Sequence, residues 1–115
     1  MATSKIHRTY FDYAENVHDN NIVTVNNINH VVVGNLAFFK CNITTPSTEV
    51  AEYTEILSGL YPSKDETSAN VVPNESLGTV ANIPSMYVKT SGKLTTRSKL
   101  PANKHFWINL TYQIS

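Results

Sequence analysis

Residues 28–45 read INHVVVGNLAFFKCNITT, and the Gly34-Asn35 pair between two apolar runs constrains this chain more than any other stretch. A two-residue loop that tolerates positive φ joins adjacent antiparallel strands, so it predicts a hairpin of residues 28–33 and 36–45 and sets which side chains face one another. Counting outward, Val33 faces Leu36, Val32 faces Ala37, Val31 faces Phe38, His30 faces Phe39 and Ile28 faces Cys41. One side of the hairpin then carries Ile28, His30, Val32, Ala37, Phe39, Cys41 and Ile43, apolar along nearly its whole length, which assigns it to a core. The other carries Asn29, Val31, Val33, Leu36, Phe38, Lys40 and Asn42, apolar only beside the turn. A patch that ends in Lys40 and Asn42 is too small for a second core and has the character of a subunit contact or a binding surface. The alternative is that a loop or terminal strand of the same chain covers it.

The C-terminal stretch alternates cleanly. Phe106, Ile108, Leu110, Tyr112 and Ile114 form one set, interleaved with His105, Trp107, Asn109, Thr111 and Gln113. That period of two predicts a strand with the first set in the core and Trp107 on the opposite face. Between the two anchors, β-branched and aromatic runs predict strands near 69–73, 77–83, 86–90 and 93–97, with turns at PNES and SGK and an added strand near 22–25. Residues 1–19 read as a lead-in segment, a candidate for one more paired strand, and 20–115 as one all-β domain. In STEVAEYTEILSGLYP, Glu49, Glu52 and Glu55 recur every third residue while Val50, Tyr53 and Leu57 sit at helical spacing. Residues 47–58 therefore fit a short helix or a strand, and the local pattern leaves both open.

At 115 residues the chain is long enough for one hydrophobic core without disulfides or metals. Nine basic and nine acidic residues give a formal net charge of +0. That balance argues against nucleic acid as a partner. No stretch approaches the ~18 apolar residues of a membrane span, and MATSKIHRTYF lacks the apolar centre of a signal peptide, so neither membrane insertion nor export by that route is expected. The charge is nonetheless segregated. Glu49, Glu52, Glu55, Asp65, Glu66 and Glu75 precede residue 76 with Lys64 as their only basic companion from Cys41 on, whereas Lys89, Lys93, Arg97, Lys99 and Lys104 follow with no acid. Such blocks meet either across neighbouring strands of one chain or as complementary surfaces of adjacent subunits in a ring.

Catalytic motifs are missing from the sequence. There is no G-x-S-x-G elbow, no H-E-x-x-H, and TSGK lacks the first glycine and the spacing of a phosphate loop. Cys41 reads as a small core residue with an inert thiol. His7, His18, His30 and His105 are scattered without ligand spacing, so no metal and no other cofactor is expected. A carboxylate pair for glycosidic cleavage is a tertiary feature that spacing does not reveal. What remains is the chemistry of sugar recognition, in which flat rings stack on pyranose faces while amides and amines bond hydroxyls. Trp107 is the first candidate, with a subunit-interface anchor as its competing role. Tyr61 and Tyr87 are weaker candidates, each also readable as core or interface.

The order of the pieces resembles the C-terminal head domains of tailed-phage tail fibres and baseplate receptor-binding proteins. The matching stretches are HVVVGNLAFFKCNI, YTEILSGLYPS, VKTSGKLTT and HFWINLTYQI, within residues 20–115. LSGLYP departs from the family turn by lacking the proline after the leucine and by being one residue short. The resemblance implies an antiparallel, jelly-roll-like β-sandwich that forms a homotrimer on the virion, at a tail tip, fibre or baseplate. It implies attachment to a host cell-surface polysaccharide without enzymatic activity, contacts with other tail or baseplate proteins, and YTEIL as a strand. Val31, Val33, Leu36 and Phe38 would then be covered by neighbouring subunits. A structural trimerisation or capping head without receptor binding, and a monomeric carbohydrate-binding module, are the alternatives.

Overall fold

The computed structural model describes residues 10–114. The chain is all-β: two five-stranded antiparallel sheets packed face to face as a sandwich. In chain order the strands are β1 (Tyr10–Asp12), β2 (His18–Asp19), β3 (Thr24–Val33), β4 (Leu36–Thr44), β5 (Glu55–Ser58), β6 (Thr67–Ser68), β7 (Asn70–Asn74), β8 (Met86–Val88), β9 (Leu94–Thr96) and β10 (His105–Gln113). Among the described residues, helical structure is limited to two 3-10 turns at Ala14–Asn16 and Glu75–Leu77. The first sheet runs β1-β3-β4-β10-β7 and the second β2-β5-β9-β8-β6, so the chain changes sheets repeatedly and its last strand inserts between β4 and β7. Residues 10–19 belong to the sandwich, since β1 joins one sheet and β2 the other.

The hairpin forms in the register its loop dictates: Val33 pairs with Leu36, Val32 with Ala37, Val31 with Phe38 and His30 with Phe39. Gly34 sits at φ +61, as the first central residue of a II′ turn requires. Farther out, Ile28 does not face Cys41. Asn29 pairs with Lys40 but Asn26 with Asn42, so one extra residue is accommodated on β3 around Asn27, which adopts φ +56. Asparagine tolerates that left-handed geometry, and a bulge there reverses the alternation of β3. Val25 consequently pairs with the buried Ile43, while Ile28 is only half-buried. The strand expected near 22–25 is therefore the start of β3, continuous with the hairpin.

One other expectation changes, and one open alternative is decided. Residues 77–83 form no strand: the Asn74 side chain accepts from the Ser76 amide and the Glu75 carboxylate from the Val80 amide. These local bonds, with Gly78 at φ +118, replace a ladder. The 47–58 segment contains no helix. Val50 exchanges both backbone hydrogen bonds with Leu100, Tyr53 turns the chain at φ +60 and donates to the Thr96 carbonyl, and β5 follows. Pairing with residues 94–100 outweighs the helical spacing of the glutamates, since about 0.7 kcal/mol per residue is the full range of ordinary helix propensity.

Both sheets supply the core. Ala37, Phe39, Cys41, Ile43, Phe106, Ile108 and Leu110 from the first meet Ile56, Leu57, Met86, Val88 and Leu94 from the second, all buried. The chain between β5 and β6 is packed closely: a Cβ on Gly59, at φ +82, would lie 1.8 Å from the Asn16 carbonyl oxygen. Gly34 has the same left-handed φ with nothing within 4 Å. Gly34→Ala should therefore cost only the backbone strain, about 1 kcal/mol, whereas Gly59→Ala adds a backbone clash and should cost roughly 3 kcal/mol or more. Urea midpoints of the two variants check this, and equal losses would refute the close packing at Asn16.

Candidate functional site

Residues opposite one another across β-strands share a face, so the ladders place the outward side chains of the first sheet in rows. Nearest the turn lie Val33, Leu36 and Gln113, then Val31, Phe38 and Thr111. The middle row is Asn29, Lys40, Asn109 and Asn70; beyond it come Asn26, Asn42, Trp107 and Val72. The face thus changes from apolar to amide-rich and back to aromatic within four rows. Val31, Val33 and Leu36 are half-buried, while Phe38 is 42% and Trp107 48% exposed.

Two shallow depressions meet on this face. One, of about 350 Å3, is bordered by Asn29, Phe38, Lys40, Asn109 and Thr111. The other, of about 370 Å3, is bordered by Asn27, Lys40, Asn42, Trp107 and Asn109. Lys40 and Asn109 belong to both. Among the described residues Lys40 has no carboxylate partner, and the only carboxylate in these rows is Asp12 on β1, paired with Val31. Phe38 and Trp107 lie two rows apart, four residues along β10 or about 13 Å at the rise of an antiparallel strand. The arrangement offers two ring surfaces at either end of a strip of amide donors and acceptors with one ammonium at its centre. A further depression of about 350 Å3, between Asp19–Val25 and Thr44–Pro46, contains no aromatic ring and no cation.

Tyr61 and Tyr87 are not brought to this face. Tyr61 is half-buried after β5, its ring packed 5.9 Å from Phe11 and 5.1 Å from Tyr13. Tyr87, on β8 of the second sheet, is 8% exposed, with the Arg97 guanidinium 4.4 Å above its ring. Neither offers an open ring face for stacking. Phe38, read from sequence as an interface residue, is the second exposed aromatic of the strip; its neighbours Lys40 and Asn109 carried no local signal, because only the β4–β10 register puts them together.

The segregated charges meet partly within the chain. Glu55 bonds Lys89 at 2.9 Å and lies 3.5 Å from Lys93, across β5, β9 and β8. The hydrogen bond from Lys89 holds the Glu55 carboxyl below its ordinary range. Glu49, Lys99 and Lys104 border one common depression. Other carboxylates serve the backbone: Asp12 accepts from Ala14 and Asp19 from Asn21. Burial pushes the Cys41 thiol up to about 12, so it is not a nucleophile near neutral pH. His18 is exposed, His105 bonds Thr44, and His30 is in the core; among the described residues no three His, Cys, Asp or Glu side chains converge as metal ligands. No helix of the described residues is long and apolar enough to cross a membrane. His7 lies outside the described residues.

No protein-family model, curated protein or solved structure matches the chain. The fold and the open face of the first sheet define what can be said of it: an antiparallel β-sandwich with an aromatic and amide strip on one side. Because Trp107 stands outward, Trp107→Ala should cost under about 1 kcal/mol, the scale of a cross-strand pair. Its neighbour Phe106 is fully buried, and Phe106→Ala should cost about 3–5 kcal/mol. Chemical denaturation of the two variants reads this difference directly.

Proposed function

We propose that this domain is a non-enzymatic receptor-binding head of a phage tail fibre or baseplate, attaching the virion to a host cell-surface saccharide through the outer face of its first sheet. The observation that carries the reading is the strip between Phe38 and Trp107: two exposed rings, amides at Asn29, Asn42 and Asn109, and Lys40 without a carboxylate partner among the described residues. Stacking on pyranose faces needs rings that are rigid yet accessible, and hydroxyl recognition needs donors and acceptors not already engaged. The tail location rests on the resemblance of the HVVVGNLAFFKCNI, YTEILSGLYPS, VKTSGKLTT and HFWINLTYQI stretches, from which the LSGLYP turn departs. Weak sites repeated on a homotrimer would gain avidity from acting together.

Trp107 is the sole tryptophan, so its fluorescence reports on the strip itself. Titration with host cell-wall polysaccharides and their oligosaccharide fragments should change that emission, and Trp107→Ala should weaken binding about tenfold or more. The glycan should be recovered uncleaved. Equal binding by Trp107→Ala would remove the strip as the site, and cleavage would make the domain an enzyme.

A structural head that trimerises without binding receptor is favoured by a different part of the same face. Phe38 is exposed beside Val31, Val33 and Leu36, and an aromatic next to aliphatics is the composition of an interface centre. Light scattering over a concentration series should give a mass near three chains, and Phe38→Lys should reduce it to one. A stable monomer of the unaltered chain would leave the Val31–Phe38 patch without a subunit role and favour an isolated carbohydrate-binding module.

A further inference from the structure

His30 is 0% exposed and every polar atom of its ring is engaged. Nδ1 lies 2.9 Å from the Phe38 carbonyl oxygen, and the Tyr61 backbone N–H points at Nε2 from 3.1 Å. A backbone N–H can only donate, so Nε2 must be bare and Nδ1 must carry the proton. The Tyr112 hydroxyl, 3.3 Å from Nε2, donates to the Tyr61 carbonyl at 2.7 Å. The imidazole is therefore neutral and held in one tautomer by β4, by β10 and by the irregular segment that follows β5.

Adding a proton to Nε2 sets two donors against each other. The Tyr61 amide loses its acceptor, whereas the Tyr112 oxygen still has a lone pair to receive Nε2–H. Burial pushes the Tyr112 phenol well above its ordinary value, so it stays protonated and keeps its donor role. Tyr61 also anchors an aromatic strap. Its ring packs on Tyr13 and Phe11, Tyr13 stands edge-on to His30 at 5.7 Å, and the Tyr13 amide donates to the His30 carbonyl.

We propose that His30 is an acid-triggered latch: protonation of Nε2 exchanges the Tyr61 amide for the Tyr112 hydroxyl, loosening Tyr61–Ser63 and the Phe11–Tyr13 strap while β4 and β10 stay paired. The groups facing the ring are the Phe38 carbonyl and Phe39 ring from β4, Tyr112 from β10, Tyr61 after β5, Tyr13 after β1, and the Asp12 carboxylate of β1. The Phe38 carbonyl and Asp12 favour the charged ring, and burial opposes it more strongly, holding His30 below its ordinary value. The loosened state relieves the burial that opposes the charged ring, so it binds more protons than the closed one. The latch is therefore fully closed above about pH 6.5 and progressively lost as pH falls below that value.

Amide hydrogen exchange of the whole chain between pH 7.5 and 5.0, corrected for intrinsic rates, tests this. Opening at the Tyr61 and Tyr13 amides should rise by up to roughly thirtyfold, the limit for one proton taken up at an ordinary imidazole. The Cys41 and Ile108 amides, in the β4–β10 ladder, should not change. His30→Gln should flatten the response. Nitrogen NMR of the His30 ring in the unaltered protein gives a second reading that needs no variant: the ring should lose its Nδ1–H tautomer in step with the opening. Simultaneous loss of protection at Cys41 and Ile108, a pH response that survives in His30→Gln, or a ring that titrates with no change at Tyr61 would each overturn the latch.

Discussion

The nine-residue ladder between β4 and β10, from Leu36 opposite Gln113 to Thr44 opposite His105, is the constraint on which the rest of the sandwich depends. It joins the hairpin to the far end of the chain, so its closure fixes long-range order that no local turn provides. Its alternation puts Ala37, Phe39, Cys41, Ile43, Phe106, Ile108 and Leu110 on one side and Phe38, Lys40, Asn42, Trp107 and Asn109 on the other. A slip of one residue would bury Lys40 and Trp107 and expose Phe106 and Ile108. The fully apolar inner set makes that slip costly, and the outer strip owes its composition to the same choice.

Residues whose partners are dictated locally were legible in the sequence. The Gly34-Asn35 loop sets five consecutive pairs of the hairpin, and the period of two from His105 to Ile114 identifies β10 with its buried face. Where the deciding partner is distant, the sequence alone does not settle the structure. The glutamates at every third position leave 47–58 open to helix or strand, and the pairing of Val50 with Leu100 and of Tyr53 with Thr96 decides it. Asn27 gives no warning that it bulges, because asparagine is equally common in turns and loops, and the bulge displaces Ile28 from Cys41. The two-residue strands β2 and β6 are too short to leave a period at all.

The candidate strip divides along the same line. Trp107 was readable as outward-facing from alternation alone. Lys40 and Asn109 are 69 positions apart in the chain and are neighbours only through the ladder. Tyr61 and Tyr87 were ambiguous, because a tyrosine in an irregular segment or a short strand satisfies a core as well as a surface. Charge segregation had two readings, and Glu55 with Lys89 and Lys93 follows the one in which neighbouring strands of the same chain meet.

Phe38 connects the two sides of the first sheet. Its ring lies on the outer face, while its carbonyl oxygen accepts from the buried His30 ring beneath. The ring turns about χ1 while the carbonyl belongs to the peptide plane that follows, so the outer contact and the inner acceptor share one Cα and are otherwise independent. The exposed end of the strip and the aromatic cluster of Phe11, Tyr13 and Tyr61 thus meet at a single residue of β4, although they lie on opposite sides of the sheet.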